Sequence, residues 1–202
     1  MKKSFANILF AVTVASGLCS FADVAFAQVD ASLVSKFLAT AKSASDSQLG
    51  TIASELTGKV QNLGAAIGAN AVIKDKLDGT LKALTGGKDS AALASAFKLA
   101  EAAKLTPDQL GLAKQVGNLA SAYVVQKNFA TLEGAKGDVA TIVSSLRSGK
   151  ISSALPSLKN VAANAKLTDT QKQLITSIAD KYAPGLNKAA GALDGLKKLP
   201  GF

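Results

Sequence analysis

The chain contains nearly the same phrase twice. "AKLTPDQLGLA" spans Ala103–Ala113, and "AKLTDTQKQLI" spans Ala165–Ile175, 62 residues further on. Both phrases place a Thr three residues before a Gln. In such a capping box the Thr hydroxyl accepts the backbone N–H of the Gln, and the Gln side chain accepts the backbone N–H of the Thr. The phrase therefore predicts that one α-helix begins after Thr106 and another after Thr168.

The similarity extends well beyond the phrase. Aligning residues 84–112 with residues 146–174 gives 14 identities in 29 positions, and several are Gly, Lys, Thr or Gln, which the abundance of Ala does not explain. A self-similarity at a fixed spacing of about 60 residues is typical of repeat proteins. We therefore predict three tandem units, at residues 28–86, 87–148 and 149–202.

The first unit carries a fainter copy of the phrase, "SDSQLG" at Ser45–Gly50. By analogy with the other two copies, Ser45 and Gln48 predict a third capping box, with Asp46 at the first helical position. Asp46, Pro107 and Asp169 would then correspond, since a negative charge or a Pro is favourable where a helix begins.

Each unit is predicted to contain three amphipathic helices, and no segment alternates apolar and polar residues for long enough to indicate a strand. Gly87 and Gly149, each followed by Lys, mark the breaks between units. The expected fold is all-α, with nine helices in a single domain over residues 28–202. Periodicity leaves open whether they form a compact bundle or a short superhelical array.

The first 27 residues have the features of a secretory signal peptide. Lys2 and Lys3 precede the short apolar run Ile8–Val14, and "AFA" ends at Ala27. Cleavage is expected after Ala27, with Ala22 as the alternative. The apolar run is too short to span a bilayer, so the predicted product is secreted or periplasmic, without a transmembrane span.

The composition restricts catalysis. The chain has no His, and its one Cys lies in the predicted signal, which excludes His-dependent triads, thiol nucleophiles and Cys/His zinc sites in the mature chain. Ser95 and Lys98 match Ser-x-x-Lys but lack the companion motifs of penicillin-binding enzymes. Asp75 and Asp78 are spaced as an acid pair, although lysines flank them. We predict no catalytic, cofactor or metal site.

Two glycine-containing patterns resemble binding motifs but are explained by turns and helix packing. "LTGGKDS" at residues 84–90 resembles a phosphate loop faintly, but Asp89 occupies the position where Ser or Thr would hold magnesium. Gly64 and Gly68 are spaced for close helix contact, which is ordinary packing in an Ala-rich chain. Neither pattern predicts a binding site.

Charge is the remaining indication of a partner. Residues 28–202 contain 21 basic and 13 acidic residues, and the third unit alone has 8 basic against 3 acidic. Only Arg147 is an arginine and no aromatic residues interleave with the lysines, so a nucleic-acid partner is not expected. An anionic surface is a better match, for which the candidate residues are Lys181, Lys188, Lys197 and Lys198. Alternatively, the lysines only solvate the helices.

The sequence thus favours a secreted or periplasmic, non-enzymatic helical repeat protein with a structural or interaction role. Its expected partner is an unidentified protein or an anionic component of the envelope, bound through the basic third unit. Two alternatives remain, a secreted hydrolase that uses carboxylates or a Ser-Lys pair, and a lipid carrier with a cavity lined by Ala and Leu.

Overall fold

The computed structural model describes residues 29–183 except 45, 69 and 103, and within them it contains eight α-helices and no strand. The all-α prediction is confirmed. The helices are α1 (Ala31–Ser43), α2 (Ser47–Ile67), α3 (Ala71–Thr85), α4 (Asp89–Leu99), α5 (Pro107–Phe129), α6 (Lys136–Ser148), α7 (Ile151–Ala162) and α8 (Asp169–Tyr182).

Several predicted features lie outside the described residues. They are the signal peptide at residues 1–27, the ninth helix, and the candidate lysines Lys188, Lys197 and Lys198.

Two of the three predicted capping boxes are confirmed. At the start of α5, the Thr106 hydroxyl accepts the Gln109 N–H at 3.3 Å, and Gln109 Oε1 accepts the Thr106 N–H at 3.0 Å. At the start of α8, the corresponding distances for Thr168 and Gln171 are 3.2 and 3.0 Å. Pro107 is the first residue of α5, as predicted.

The predicted capping box at Ser45 is wrong. Asp46, which was expected at the first helical position, is the N-cap of α2, and its Oδ1 accepts the Gln48 N–H at 2.8 Å. The other carboxylate oxygen accepts a hydrogen bond from Gln126 Nε2 at 2.6 Å, on the distant helix α5. Helix α2 therefore begins at Ser47, one residue later than expected.

The helices form a bundle around a core of Leu, Ile, Val and Ala, in which Phe37 and Phe129 are the largest fully buried side chains. Helix α5 lies at the centre and packs against α2, α4, α6 and α8. Every residue of α5 from Leu119 to Gln126 is buried. A helix buried on all sides for two turns has no solvent face, which explains why this stretch contains Ala, Val, Ser and a single Tyr rather than charges.

The breaks predicted at Gly87 and Gly149 are helix ends of the same geometry. Both glycines have a positive φ, 69° and 71°. The N–H of the following lysine bonds back to a helix carbonyl, from Lys88 to Ala83 at 2.8 Å and from Lys150 to Ser145 at 2.9 Å. This is the Schellman ending, which requires the left-handed conformation that Gly adopts without strain.

Among the helices of the described segment, none combines the length and the apolar character needed to cross a membrane.

Candidate functional site

Of the two carboxylates that the sequence suggests as an acid pair, Asp75 and Asp78, Asp78 connects α3 to the start of α1. Asp78 forms an ion pair with Lys74 on α3, and its Oδ1 accepts the backbone N–H of Asp30 at 3.2 Å, just before α1. The hydrogen bond to Asp78 raises the pKa of Lys74. Within the described residues, no three His, Cys, Asp or Glu side chains are grouped so that they could hold a metal ion.

The Ser-Lys pair lies on α4. Ser95 is half-buried beside α3, where a Cβ on Gly79 would lie 3.7 Å from its Oγ, while Lys98 is exposed. Ser95 therefore lies at the packed interface between α3 and α4.

Lys181 is the one candidate lysine that the structure describes, and it contacts α4 and the segment after it. Its Nζ lies 2.7 Å from a carboxylate oxygen of Glu101 and 5.5 Å from the centre of the Phe97 ring. The hydrogen bond from Lys181 lowers the pKa of Glu101. Phe97 also contacts Tyr182 edge-on, with ring centres 5.9 Å apart. Lys181 therefore connects α8 to the preceding helices.

A polar groove lies where α2, α5 and the end of α6 meet. It consists of two adjoining hollows of about 290 and 420 Å³. Lys59, Leu119, Arg147 and Ser148 line both hollows. The remaining lining residues are Gln115, Asn118, Leu146 and Gly149 in the smaller hollow and Glu55 and Ser144 in the larger one. We refer to these ten residues as the α2/α5/α6 groove.

An ion pair crosses this groove from α6 to α2. Arg147 Nε donates to Glu55 Oε2 at 3.0 Å, and Arg147 Nη2 donates to Glu55 Oε1. The hydrogen bond to Glu55 raises the pKa of Arg147, so the guanidinium stays charged. A paired guanidinium is held in one orientation, which gives that wall of the groove a defined geometry.

The amide of Asn118 is also held in place. The Tyr182 hydroxyl donates to Asn118 Oδ1 at 2.9 Å and lies 3.3 Å from Ser121 Oγ. Burial raises the pKa of the Tyr182 phenol to about 12, although the hydrogen bond with Ser121 acts in the opposite direction. The phenol therefore remains a donor at neutral pH. With Oδ1 occupied, the Asn118 amide nitrogen is available to the groove.

Gly149 lines this part of the groove just after the end of α6. A Cβ at that position would lie 4.0 Å from Asn118 Nδ2, and the positive φ of Gly149 would strain any other side chain. Sequence reasoning identified Gly149 only as a break between units. The groove was missed because its residues come from three helices. The single arginine of the chain, Arg147, is the one signal that could have drawn attention to it.

Comparisons of the chain with protein-family models, with curated proteins and with solved structures find no match.

Proposed function

We propose that the chain is an exported, non-enzymatic helical repeat protein with an interaction role. The observation that carries this proposal is a hydrogen bond that occurs twice. Gln109 Nε2 donates to Ala66 O at 2.7 Å, and Gln171 Nε2 donates to Asn128 O at 2.6 Å. Donor and acceptor are each displaced by 62 residues, which is the shift of the sequence repeat. Each capping Gln thus joins the start of its helix to the end of the corresponding helix one proposed unit earlier, α5 to α2 and α8 to α5.

A second contact occurs twice with nearly the same spacing. Phe37 on α1 contacts Tyr123 on α5, with ring centres 5.1 Å apart, and Phe97 on α4 contacts Tyr182 on α8 at 5.9 Å. In both cases the Phe belongs to the first helix of one proposed unit and the Tyr to the second helix of the next. These contacts support three units coupled in series, as in repeat proteins, whose stacked units present extended binding surfaces.

We further propose that the basic third unit binds an anionic envelope surface or an acidic partner. Because Lys181 is paired with Glu101, the proposal rests on the excess of lysine beyond it, namely Lys188, Lys197 and Lys198. A lysine near an anionic membrane contributes about 1 kcal/mol at modest ionic strength. The binding is therefore weak and sensitive to salt.

Co-sedimentation with vesicles tests this interaction. The variant Lys188→Gln/Lys197→Gln/Lys198→Gln is compared with a control, Lys36→Gln/Lys42→Gln/Lys82→Gln, which removes the same charge from exposed lysines of the first unit. At low salt, we expect the natural chain and the control to pellet with anionic vesicles and the C-terminal variant to remain in the supernatant. Equal pelleting of both variants, or equal pelleting with neutral vesicles, would show that these lysines only solvate the chain.

Export is tested separately, by the mass of the chain recovered outside the cytoplasm. Cleavage after Ala27 predicts a first residue of Gln28, whereas the alternative cleavage after Ala22 predicts Asp23. Val29, two residues after Ala27, packs against α2, where its Cγ2 would lie 2.8 Å from a Cβ on Gly64. An unprocessed chain that stays in the cytoplasm would contradict this part of the proposal.

A further inference from the structure

The α2/α5/α6 groove contains several hydrogen-bond donors that the fold does not use. Arg147 is paired with Glu55, whereas none of the six ion pairs between described residues includes Lys59. Asn118 has its oxygen bound to Tyr182, which leaves its NH₂ group. Gln115 and Ser144 line the groove with exposed polar side chains, and the Ser148 hydroxyl, which donates to Ser145 O at 3.2 Å, can still accept a hydrogen bond. An exposed donor set on three packed helices can bind a ligand without rearrangement of the backbone.

The charge of the groove indicates one negative charge on that ligand. Lys59 and Arg147 are positive and Glu55 is negative, so the lining carries a net charge of +1. Because Glu55 already neutralises Arg147, the free charge is the Lys59 ammonium. An ammonium and a fixed amide NH₂ that line the same hollow suit a carboxylate, which accepts hydrogen bonds on both of its oxygens.

The rest of the lining indicates the chemistry of the remainder of the ligand. The Gln115 carboxamide and the Ser144 hydroxyl can both donate and accept, and the Ser148 hydroxyl, which donates to Ser145 O, can accept. Ligand hydroxyl groups can likewise donate and accept. Leu119 and Leu146 supply the apolar lining, and no aromatic residue lines the groove. A phosphate dianion would have twice the charge of the one free ammonium.

We propose that the α2/α5/α6 groove binds a hydroxylated monocarboxylate, such as a sugar acid. Lys59 and the NH₂ group of Asn118 hold the carboxylate, and the side chains of Gln115, Ser144 and Ser148 contact the hydroxyls. Tyr182 acts as a positioning residue, because its hydroxyl fixes the orientation of the Asn118 amide. This site does not include Lys188, Lys197 or Lys198, so it is independent of the proposed binding to an anionic surface.

The test is a titration followed by the amide resonances of ¹⁵N-labelled protein. Glucuronate is the probe, glucose supplies hydroxyls without a carboxylate, and acetate supplies a carboxylate without hydroxyls. With glucuronate we expect saturable shifts at the Gly149 and Ser148 backbone amides and at the Asn118 side-chain NH₂. Glucose and acetate at the same concentrations should give shifts that are smaller and do not saturate.

Two variants localise the binding. Lys59→Gln removes the free ammonium without disturbing the core and is expected to weaken glucuronate binding about fivefold, as for a partly exposed charge pair. Lys36→Gln, on the exposed side of α1, removes the same charge away from the groove and should leave the affinity unchanged. The spectra themselves show whether each variant is folded.

The variant Tyr182→Phe distinguishes a role of Tyr182 in orienting the Asn118 amide from a general loss of stability. Tyr182→Phe should broaden or shift the Asn118 side-chain NH₂ signals and weaken glucuronate binding, while the backbone amides of α2 remain in place. The proposal is overturned if glucuronate gives no saturable shifts in the groove, if Lys59→Gln binds as well as the natural chain, or if acetate binds as well as glucuronate.

Discussion

Two helix–helix junctions of this bundle each contain a Phe–Tyr contact, but the two junctions are stabilised differently. Helix α5 meets α1 through Tyr123 and Phe37, and α8 meets α4 through Tyr182 and Phe97. In the first junction both rings are buried, with Tyr123 3% exposed and Phe37 fully enclosed. In the second, both rings are partly exposed, and Lys181 lies over Phe97.

The difference shows how one arrangement tolerates two environments. The first junction lies within the core, where burial of apolar surface dominates the free energy. The second lies nearer the surface, where the Tyr182 hydroxyl bonds to Asn118 and Lys181 pairs with Glu101. At the second junction, a hydrogen bond and an ion pair therefore provide part of the stabilisation that burial of apolar surface provides at the first.

The largest expected effect is truncation of the buried ring. Phe37→Ala should lower the free energy of unfolding by about 3–5 kcal/mol, because it leaves a cavity in the core. Phe97→Ala should cost less than half as much, since water can reach that ring already. Urea denaturation of both variants measures the difference, and equal losses would break the comparison.

The next effect concerns the two confirmed capping boxes. Thr106→Ala and Thr168→Ala should each lower the free energy of unfolding by about 0.5–2 kcal/mol, because each leaves a helix N–H without its acceptor. The same denaturation experiment measures both losses, and Thr→Ser at each position is the matched control that retains the hydroxyl. If neither Ala variant is destabilised, capping does not account for the repeated phrase.

Tyr182→Phe sharpens the comparison at the second junction. Removing the hydroxyl should lower the free energy of unfolding by about 0.5–1.5 kcal/mol at neutral pH, because Asn118 loses its donor. The pKa of Tyr182 is raised by burial to about 12, so the folded state favours the neutral phenol. Stability from this group is complete below pH 10 and is lost as the pH rises through about 12.

The pH dependence of stability tests whether the loss at high pH comes from the Tyr182 hydroxyl. Between pH 10 and 12, the stability of the natural chain should fall more steeply than that of Tyr182→Phe. Burial, together with the charge of Asp89, also raises the pKa of Tyr123, so a smaller slope should remain in the variant. Parallel curves for the two proteins would contradict the burial of the Tyr182 hydroxyl, the end of a ring that is otherwise partly exposed.

The smallest effect is expected for Lys181→Gln. Exposed ion pairs contribute little because water and salt screen them, and the carboxylate of Glu101 stays hydrated when the lysine is lost. Thermal denaturation should show a smaller change than for either Thr→Ala variant. A larger loss would mean that the contact with Phe97, rather than the ion pair, holds α8 in place.

Much of the fold was predictable from the sequence because its signals are local. A capping box is defined over four residues and a Schellman ending over six, so Thr106, Thr168, Gly87 and Gly149 could be interpreted without knowledge of packing. The start of α2 was mispredicted by one residue, and its cap Asp46 makes a contact that no local pattern contains, with Gln126, 80 residues away.

The groove was not predictable because its residues are far apart in the chain. Its crossing ion pair joins Glu55 to Arg147, which are 92 residues apart in the chain. Asn118 is positioned by Tyr182, 64 residues away on α8. No local pattern marks such residues, because their roles arise only when α2, α6 and α8 pack around α5.

The proposal of coupled repeat units is tested most directly by replacing the three equivalent glutamines with alanine. Gln109 and Gln171 each bond to the end of the corresponding helix one proposed unit earlier. Gln48 lies at the start of α2 in the first proposed unit, where its backbone N–H bonds to the Asp46 cap and its side chain makes no such bond within the described residues. Urea denaturation of the three single variants and of Gln109→Ala/Gln171→Ala gives the four free energies. The account predicts losses of about 1 kcal/mol for Gln109→Ala and for Gln171→Ala, additive in the double variant, and little change for Gln48→Ala. A loss for Gln48→Ala as large as the other two, or no loss in any variant, would contradict it.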